Sequence, residues 1–438
     1  MNAARTGVIA AIAAMTPPAG AITAGAIALC LVSPAHAIDW EGEDASASLI
    51  THARTYTLLL YDRGADARRR VLVDLGLPEP AIAAVPGTEA EQAAVVERFR
   101  FVLDARVGER WSAAVHYDLL PIFGTFQTEG FFTAVRNPLR LWDLDRALHT
   151  DDDWTVSHAI DRAVIHYTAP AFEVRLGRQA IGFGSARLFN AADLFAPLGP
   201  ASIDSEFKGG VDAVQLIAPL GELHEVALIA VGNTEAMSEG LYLARWRGMF
   251  DGFDLGLMAG ATYARPTLAL EAAGDLGGSG WYLEASARVD PDGDDHSALR
   301  ATAGLDHHFP IGLRLIGELH YNSPGSLDPQ AALTVQQRQP YTAGEVYLLG
   351  ELYAGLLASY ELHPLATLNL SWLQNLGDGS ALAGPAIAWD FAQEVSLGAG
   401  ALIPIGDRMT LGPGGLPTVH SEFGLYPTVV YTDLRLAL

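Results

Sequence analysis

The chain predicts an all-β fold, a closed antiparallel transmembrane barrel of about eighteen strands over residues 38–438. Three observations predict it. Apolar and polar residues alternate with a period of two, as in strands with one apolar face. The alternating runs last about 9–11 residues, the length that crosses a bilayer when tilted. Their connections alternate between short turns and longer loops, the layout of a barrel with turns on one side of a membrane and loops on the other.

The first residues precede that pattern. Arg5 is the only charge before Asp39, an Ala-, Ile- and Leu-rich run follows it, and Ala35-His36-Ala37 forms an A-x-A cleavage site. Residues 1–37 are therefore expected to be an export signal that is removed. Pro17 and Pro18 interrupt the run and weigh against a retained helix. Cys30, the only cysteine, falls inside this segment, so the expected mature chain depends on no disulfide and no thiol chemistry. Beyond it no uninterrupted apolar run reaches the roughly 20 residues of a membrane helix. The formal net charge of −24 speaks against the basic face of a nucleic-acid binder.

From Phe99 the odd positions read Phe99, Phe101, Leu103, Ala105 and Val107, while Arg98, Arg100, Asp104 and Arg106 take even ones. A turn at Gly108-Glu109-Arg110 leads into Trp111, Ala113, Val115, Tyr117 and Leu119, alternating with polar or small residues. The pattern returns at Ala163–Tyr167 with Phe172–Leu176, at Phe253–Tyr263, at Leu313–Tyr321 and at Leu368–Trp372. Short turns fall near 108–110, 168–171, 219–222, 248–252, 274–279, 310–312, 363–365 and 391–394. Longer segments fall near 62–94, 121–155, 184–210, 323–343 and 404–424, with shorter ones near 233–240, 290–298 and 375–381. Eight short turns imply eighteen strands, and an even number puts both ends on the periplasmic side. One weak hairpin missed or split gives sixteen or twenty. Val430, Thr432, Leu434, Leu436 and Leu438 alternate to the last residue, like the terminal strand by which the barrel-assembly machinery recognises its clients. Leu438 departs from the aromatic residue usual there. Closure follows from physics, because an open sheet in lipid leaves its edge amides without partners at several kcal/mol each. Soluble sandwiches and β-helices share the period but not this strand length or this alternation of turn and loop.

The stretch "RLGRQAIGFGSARLFNAADLFAP", Arg175 to Pro197, contains Gly182-Phe183-Gly184. A dinucleotide site needs a third glycine and a following amphipathic helix. Arg187 stands at the third position and Pro197 arrives too soon, so that reading fails. Gly177-Arg178-Gln179, Phe183-Gly184, Asn190, Asp193-Leu194-Phe195, Pro197, Asp204, Glu206 and Gly210-Val211-Asp212-Ala213 together resemble a loop of Gram-negative outer-membrane porin-like barrels of the alginate-export type. The specific likeness covers some forty residues. It implies an outer-membrane channel for passive diffusion of small hydrophilic or charged solutes, surrounded by outer-membrane lipid and lipopolysaccharide. It also implies that loop 184–210 folds into the lumen. Arg178 and Arg187 opposite Asp193, Asp204 and Glu206 are then expected either to form a charged constriction or to anchor the loop by pairing. Asn190 is expected to cap a short helical turn that Pro197 ends.

The even and odd registers place Arg98, Arg100, Arg106, Arg162 and Arg175, with Glu173, on the lumen side. Asp306-His307-His308 puts its histidines on opposite faces of a strand, which is wrong for one metal. Asp151–Asp153 and Asp290–Asp295 lack the ordered spacing of a calcium loop. His296-Ser297 and His420-Ser421 are adjacencies without an orienting residue. No cofactor, metal or catalytic set is therefore expected. Two alternatives remain: an exporter of an acidic polysaccharide, which needs a continuous arginine track, and a plugged barrel acting as surface enzyme or adhesin.

Overall fold

The computed structural model describes residues 38–62, 91–124, 137–151, 153–204, 206–290, 297–411 and 417–437. The expected export signal over 1–37 and the departure at Leu438 lie outside the described residues.

Eighteen strands make the wall: β1 Ala45–Tyr61, β2 Glu91–Val107, β3 Trp111–Gly124, β4 Trp154–Ala169, β5 Phe172–Gln179 and β6 Val211–Pro219. They continue with β7 His224–Val231, β8 Leu241–Phe250, β9 Phe253–Thr262, β10 Arg265–Leu276, β11 Ser279–Arg288 and β12 Ala298–Phe309. The last six are β13 Leu313–Asn322, β14 Leu352–His363, β15 Ala366–Asn375, β16 Ala381–Ala392, β17 Val395–Ile405 and β18 Thr428–Ala437. Each pairs antiparallel with its neighbour, and β1 pairs with β18 from His52↔Ala437 to Tyr61↔Thr428, which closes the barrel. Two short pieces extend it. Ile38–Glu41 pairs with Ser46–Leu49 of β1, below the stretch that β18 uses, and Asp145–Thr150 pairs with β4 beyond the end of β5.

The alternation decides which side chain meets which medium, and it inverts the order of a water-soluble protein. Leu268, Leu270, Leu283, Leu299, Leu305 and Leu319 point outward and are 44–63% exposed, while Arg100, Glu284 and Glu318 are 1–3% exposed inside. A lipid-facing wall needs this arrangement. Rings gather at both ends of the strands. Trp111 and Tyr167 lie 4.7 Å apart at the short-turn end, and Phe253 and Trp281 lie 5.8 Å apart there. Phe123 and Trp154 stack at 6.2 Å at the long-loop end. Trp111 and Phe123 both belong to β3, and their spacing corresponds to about 28 Å at a tilt near 45°, the thickness of a bilayer core.

All eight short turns of the sequence reading join strand pairs in the structure. One connection at the opposite end escaped that reading. Tyr263-Ala264 closes β9 onto β10 in two residues with φ of 51° and 59°, the left-handed pair that hairpin turns require. Asn-Gly or Asp-Gly normally marks such a turn, and Tyr-Ala carries no such sign.

The long connections fold over and into the barrel mouth. Leu139, Leu194 and Phe195 pack on Val211, Val231 and Leu241, while Leu188 and Phe189 pack with Leu348, Tyr353 and Phe423. Ile203 lies against Tyr56, Leu58 and Val429. The inward faces at the loop end are thereby buried, as at Tyr56, Val96, Leu241, Asn322 and Tyr353. At the turn end the inward Asp104, Arg106, Glu225, Arg247, Arg314 and Glu361 are exposed.

Candidate functional site

Residues 180–210 leave β5, cross the lumen and return in β6. Their path follows from what each wall offers. On one side the barrel presents carboxylates. Glu271 accepts a hydrogen bond from the Gly184 amide at 2.9 Å. Glu284 accepts from the amides of Ser185, Ala186 (2.7 Å) and Ala192 (3.1 Å). Glu318 accepts from the amides of Arg187 (2.6 Å), Leu188 (3.1 Å) and Phe189 (2.9 Å), and from the Tyr282 hydroxyl at 2.5 Å. Glu271 and Glu284 are register partners on β10 and β11, so they form one row. Gly184 sits at φ 96°, and a Cβ there would lie 2.6 Å from Glu284 Oε1, so only glycine brings the backbone this close. Phe183 lies under the Arg245 guanidinium at 4.2 Å and edge-on to Phe195 at 5.6 Å.

On the other side the barrel presents arginines. Arg54 of β1 donates to Asp433 of β18 through Nε and Nη2, both at 2.7 Å, and through Nη1 to Asp204 and Glu206, both at 3.0 Å. Arg98 of β2 also pairs with Asp204. Arg435 holds Asp433 at 2.8 Å and approaches Glu206 at 3.9 Å. Beside this group Arg100 donates to Asp118 (2.8 Å) and Asp161 (2.5 Å) and lies 3.9 Å over the Phe207 ring. Arg162 donates to Asp161 at 2.6 Å and to the Lys208 carbonyl.

The five residues expected at a constriction therefore divide. Arg178 is buried, donates to Asp212 at 2.9 Å and to the carbonyl of Ile160 at 3.0 Å, and fastens the base of the loop. Asp193 is buried against Lys208. Burial pulls the Lys208 ammonium below its usual range and Asp193 opposes that pull. Asp204 is held by two arginines, Glu206 is about half exposed, and Arg187 is exposed. Arg187 and Glu206 thus stand at water, while Arg178 and Asp193 are anchors. Of the expected lumen residues, Arg98, Arg100 and Arg162 belong to the loop's mooring, Arg175 pairs with Glu173 at 2.7 Å, and Arg106 is exposed near the turn end. Asn190 caps no helix. Its Oδ1 accepts from the Asp193 amide at 2.9 Å and its Nδ2 donates to the Phe183 carbonyl at 2.7 Å, giving a tight turn before Ala196 at φ 66°.

Sequence reading missed Arg54, Asp161, Asp433, Arg435 and Lys208. The alternation of β1 and β18 puts Arg54, Asp433 and Arg435 on the inner face, and only the closing register shows that they meet. Glu284 and Glu318 stand at inward positions of their strands. Their work as acceptors for loop amides has no counterpart in side-chain pattern.

No family model matches the chain, and no curated protein matches it in sequence. Among solved structures, Acinetobacter baumannii OccAB2 superposes with a TM-score of 0.52 at 10% identity, covering 89% of this chain and 98% of that one. Acinetobacter baumannii OccAB4 gives a TM-score of 0.50 at 6% identity, covering 91% and 98%. A Rhodopseudomonas blastica porin variant aligns with a TM-score of 0.43 at 12% identity, covering 90% and 100%. The chain thus shares with the two Acinetobacter proteins a closed antiparallel barrel, traced over nearly the whole of their length.

Proposed function

We propose that the protein is an outer-membrane porin that lets small hydrophilic solutes diffuse passively, with loop 184–210 as its constriction. The observation that carries this reading is a lumen whose turn end is lined by exposed charged residues and crossed by one loop moored to both walls. A lumen of this kind offers water and charge to a solute and screens it at one level. Arg187 and Glu206 are the constriction charges, and Arg178, Asp193 and Asp204 hold the loop in place. The reading brings with it export through a signal over 1–37, insertion by the barrel-assembly machinery, and a surround of outer-membrane lipid with lipopolysaccharide. It calls on no cofactor and no catalytic residue.

The test is ion conductance of refolded 38–438 in a planar bilayer, compared with a form lacking 185–203. Discrete steps in the first and larger ones in the second are expected. Unchanged step size on deletion would remove the constriction role. The buried inward faces at the loop end favour a second reading, a barrel whose loops close it until they move. That reading expects silence from the intact chain and steps only after deletion.

A further inference from the structure

Burial around the inner wall is uneven. Among the described residues β17 is the one barrel strand with no buried residue on its inward face, where Ser396, Gly398, Gly400, Leu402 and Pro404 are all partly exposed. Every other strand has at least one inward residue covered by the loops or by ion pairs. The gap is widest from Ser396 to Gly400, because Leu402 packs against the clusters that hold Phe189, Phe423 and Ile203. The loop is moored to β10, β11 and β13 through carboxylates and to β1 and β2 through arginines, and no hydrogen bond ties it to β15, β16 or β17 among the described residues.

At the turn end of β17 lies a cavity of about 330 Å³ lined by Arg54, Arg98, Glu206, Phe207, Ser396 and Arg435 among others. Its lining carries Arg54, Arg98, Arg100 and Arg435 against Glu206, Asp390 and Glu394, and Asp204 and Asp433 pair with Arg54 and Arg98 beside it. Arg54, Arg98, Asp204 and Asp433 are 4–15% exposed, locked in pairs. Arg435 and Glu206 are 49% and 43% exposed and 3.9 Å apart, so they meet whatever enters. Removing either one shifts the local charge by one unit of known sign.

We propose that solutes pass along the turn half of β17, and that Glu206 acts there with Arg435, rather than with Arg187 on the far side of the loop, to set the charge preference of the channel. This rests on the porin reading above. The passage is off-centre, bounded by β17 and its neighbours on one side and by Glu206 and Phe207 of the loop on the other. Its lining of both signs favours small zwitterionic or uncharged polar solutes over those of high net charge.

The expected mature chain has no cysteine, so single cysteines report cleanly. Ser396→Cys and Met258→Cys would be treated in the bilayer with a negatively charged thiosulfonate reagent, and labelling checked by mass spectrometry. Ser396→Cys should be labelled, and its conductance should fall by roughly half or more, since a group fixed in a narrow passage obstructs it. Met258, buried under the loop on β9, should stay unlabelled and silent. Glu206→Gln should move the reversal potential in a salt gradient toward anions, and Arg435→Gln toward cations. Labelled Ser396→Cys with unchanged conductance, or an unlabelled Ser396→Cys in a conducting channel, overturns the passage. Block at Met258→Cys would overturn it as well. Reversal potentials that do not move, or move together, overturn the selectivity roles. An intact chain that conducts only after deletion of 185–203 overturns the open passage and leaves the channel reading standing. Silence of both forms overturns both.

Discussion

The wall of β10, β11 and β13 holds the lumen loop by its backbone, whereas the wall of β1, β2 and β18 holds it by side chains. Glu284 and Glu318 each accept three loop amides, so the hydrogen bonds of this first contact read backbone shape, and residue identity matters only where Leu188 and Phe189 are buried. Arg54 and Arg98 take the carboxylates of Asp204 and Glu206, so the second contact depends on residue identity at two positions. Both depend on charge taken out of water, where an ion left without its partner is far costlier than one never buried. The difference teaches that the two moorings fail in different ways. Loss of the backbone side frees a long arc of chain, and loss of one side-chain pair loosens a single point.

The sharpest way to break the comparison is Glu284→Ala with Glu318→Ala. Six loop amides then lose their acceptors, at about 1–3 kcal/mol for each one left unsatisfied. Single-channel conductance should rise and the denaturation midpoint should fall more than in any other variant here. Wild-type values of both would show that these carboxylates do not hold the loop. Arg54→Ala comes next, with an expected cost of about 3–5 kcal/mol for breaking a buried ion-pair group. Thermal unfolding followed by gel mobility would read it, and a shift no larger than that of an exposed arginine would refute it. Asp204→Asn should cost less, about 1.5–3 kcal/mol, because Arg54 keeps Asp433 and Glu206. Urea unfolding followed by tryptophan emission measures it, and a loss as large as that of Arg54→Ala would make Asp204 the hub instead. Glu206→Gln is smallest in stability, under about 1 kcal/mol for a half-exposed pair. A melting temperature lowered as far as in Asp204→Asn would show that Glu206 anchors rather than selects.

The wall of the barrel was legible because it obeys one rule. The alternation at Phe99–Val107 and Trp111–Leu119 fixes both faces, and Gly108-Glu109-Arg110 fixes the turn between them, with the register Val107↔Trp111 that follows. The turn at Tyr263-Ala264 was not legible, because its left-handed residues carry the side chains least expected there. The loop was legible as a loop, through its glycines and the Asn190–Pro197 turn, but its mooring was not. Amides have no identity in a sequence, so the capture of Arg187, Leu188 and Phe189 by Glu318 leaves no trace in residue type. Arg178 looked like a pore residue because charge near a lumen loop suggests selectivity, and the carbonyl of Ile160 that consumes part of its guanidinium is visible only in three dimensions.

One bond in this structure also constrains how the molecule comes to exist. Arg54 and Asp433 stand 379 positions apart in the chain and meet only where the first barrel strand has found the last. The same guanidinium holds Asp204 and Glu206, so the end of the loop has no complete berth until the circle is shut. Contacts of such long range close late, since the entropy of the intervening chain must be lost before they form. An unfinished sheet would therefore have its inner loop unfastened at one end, and the last step of assembly would also be the step that sets the bore.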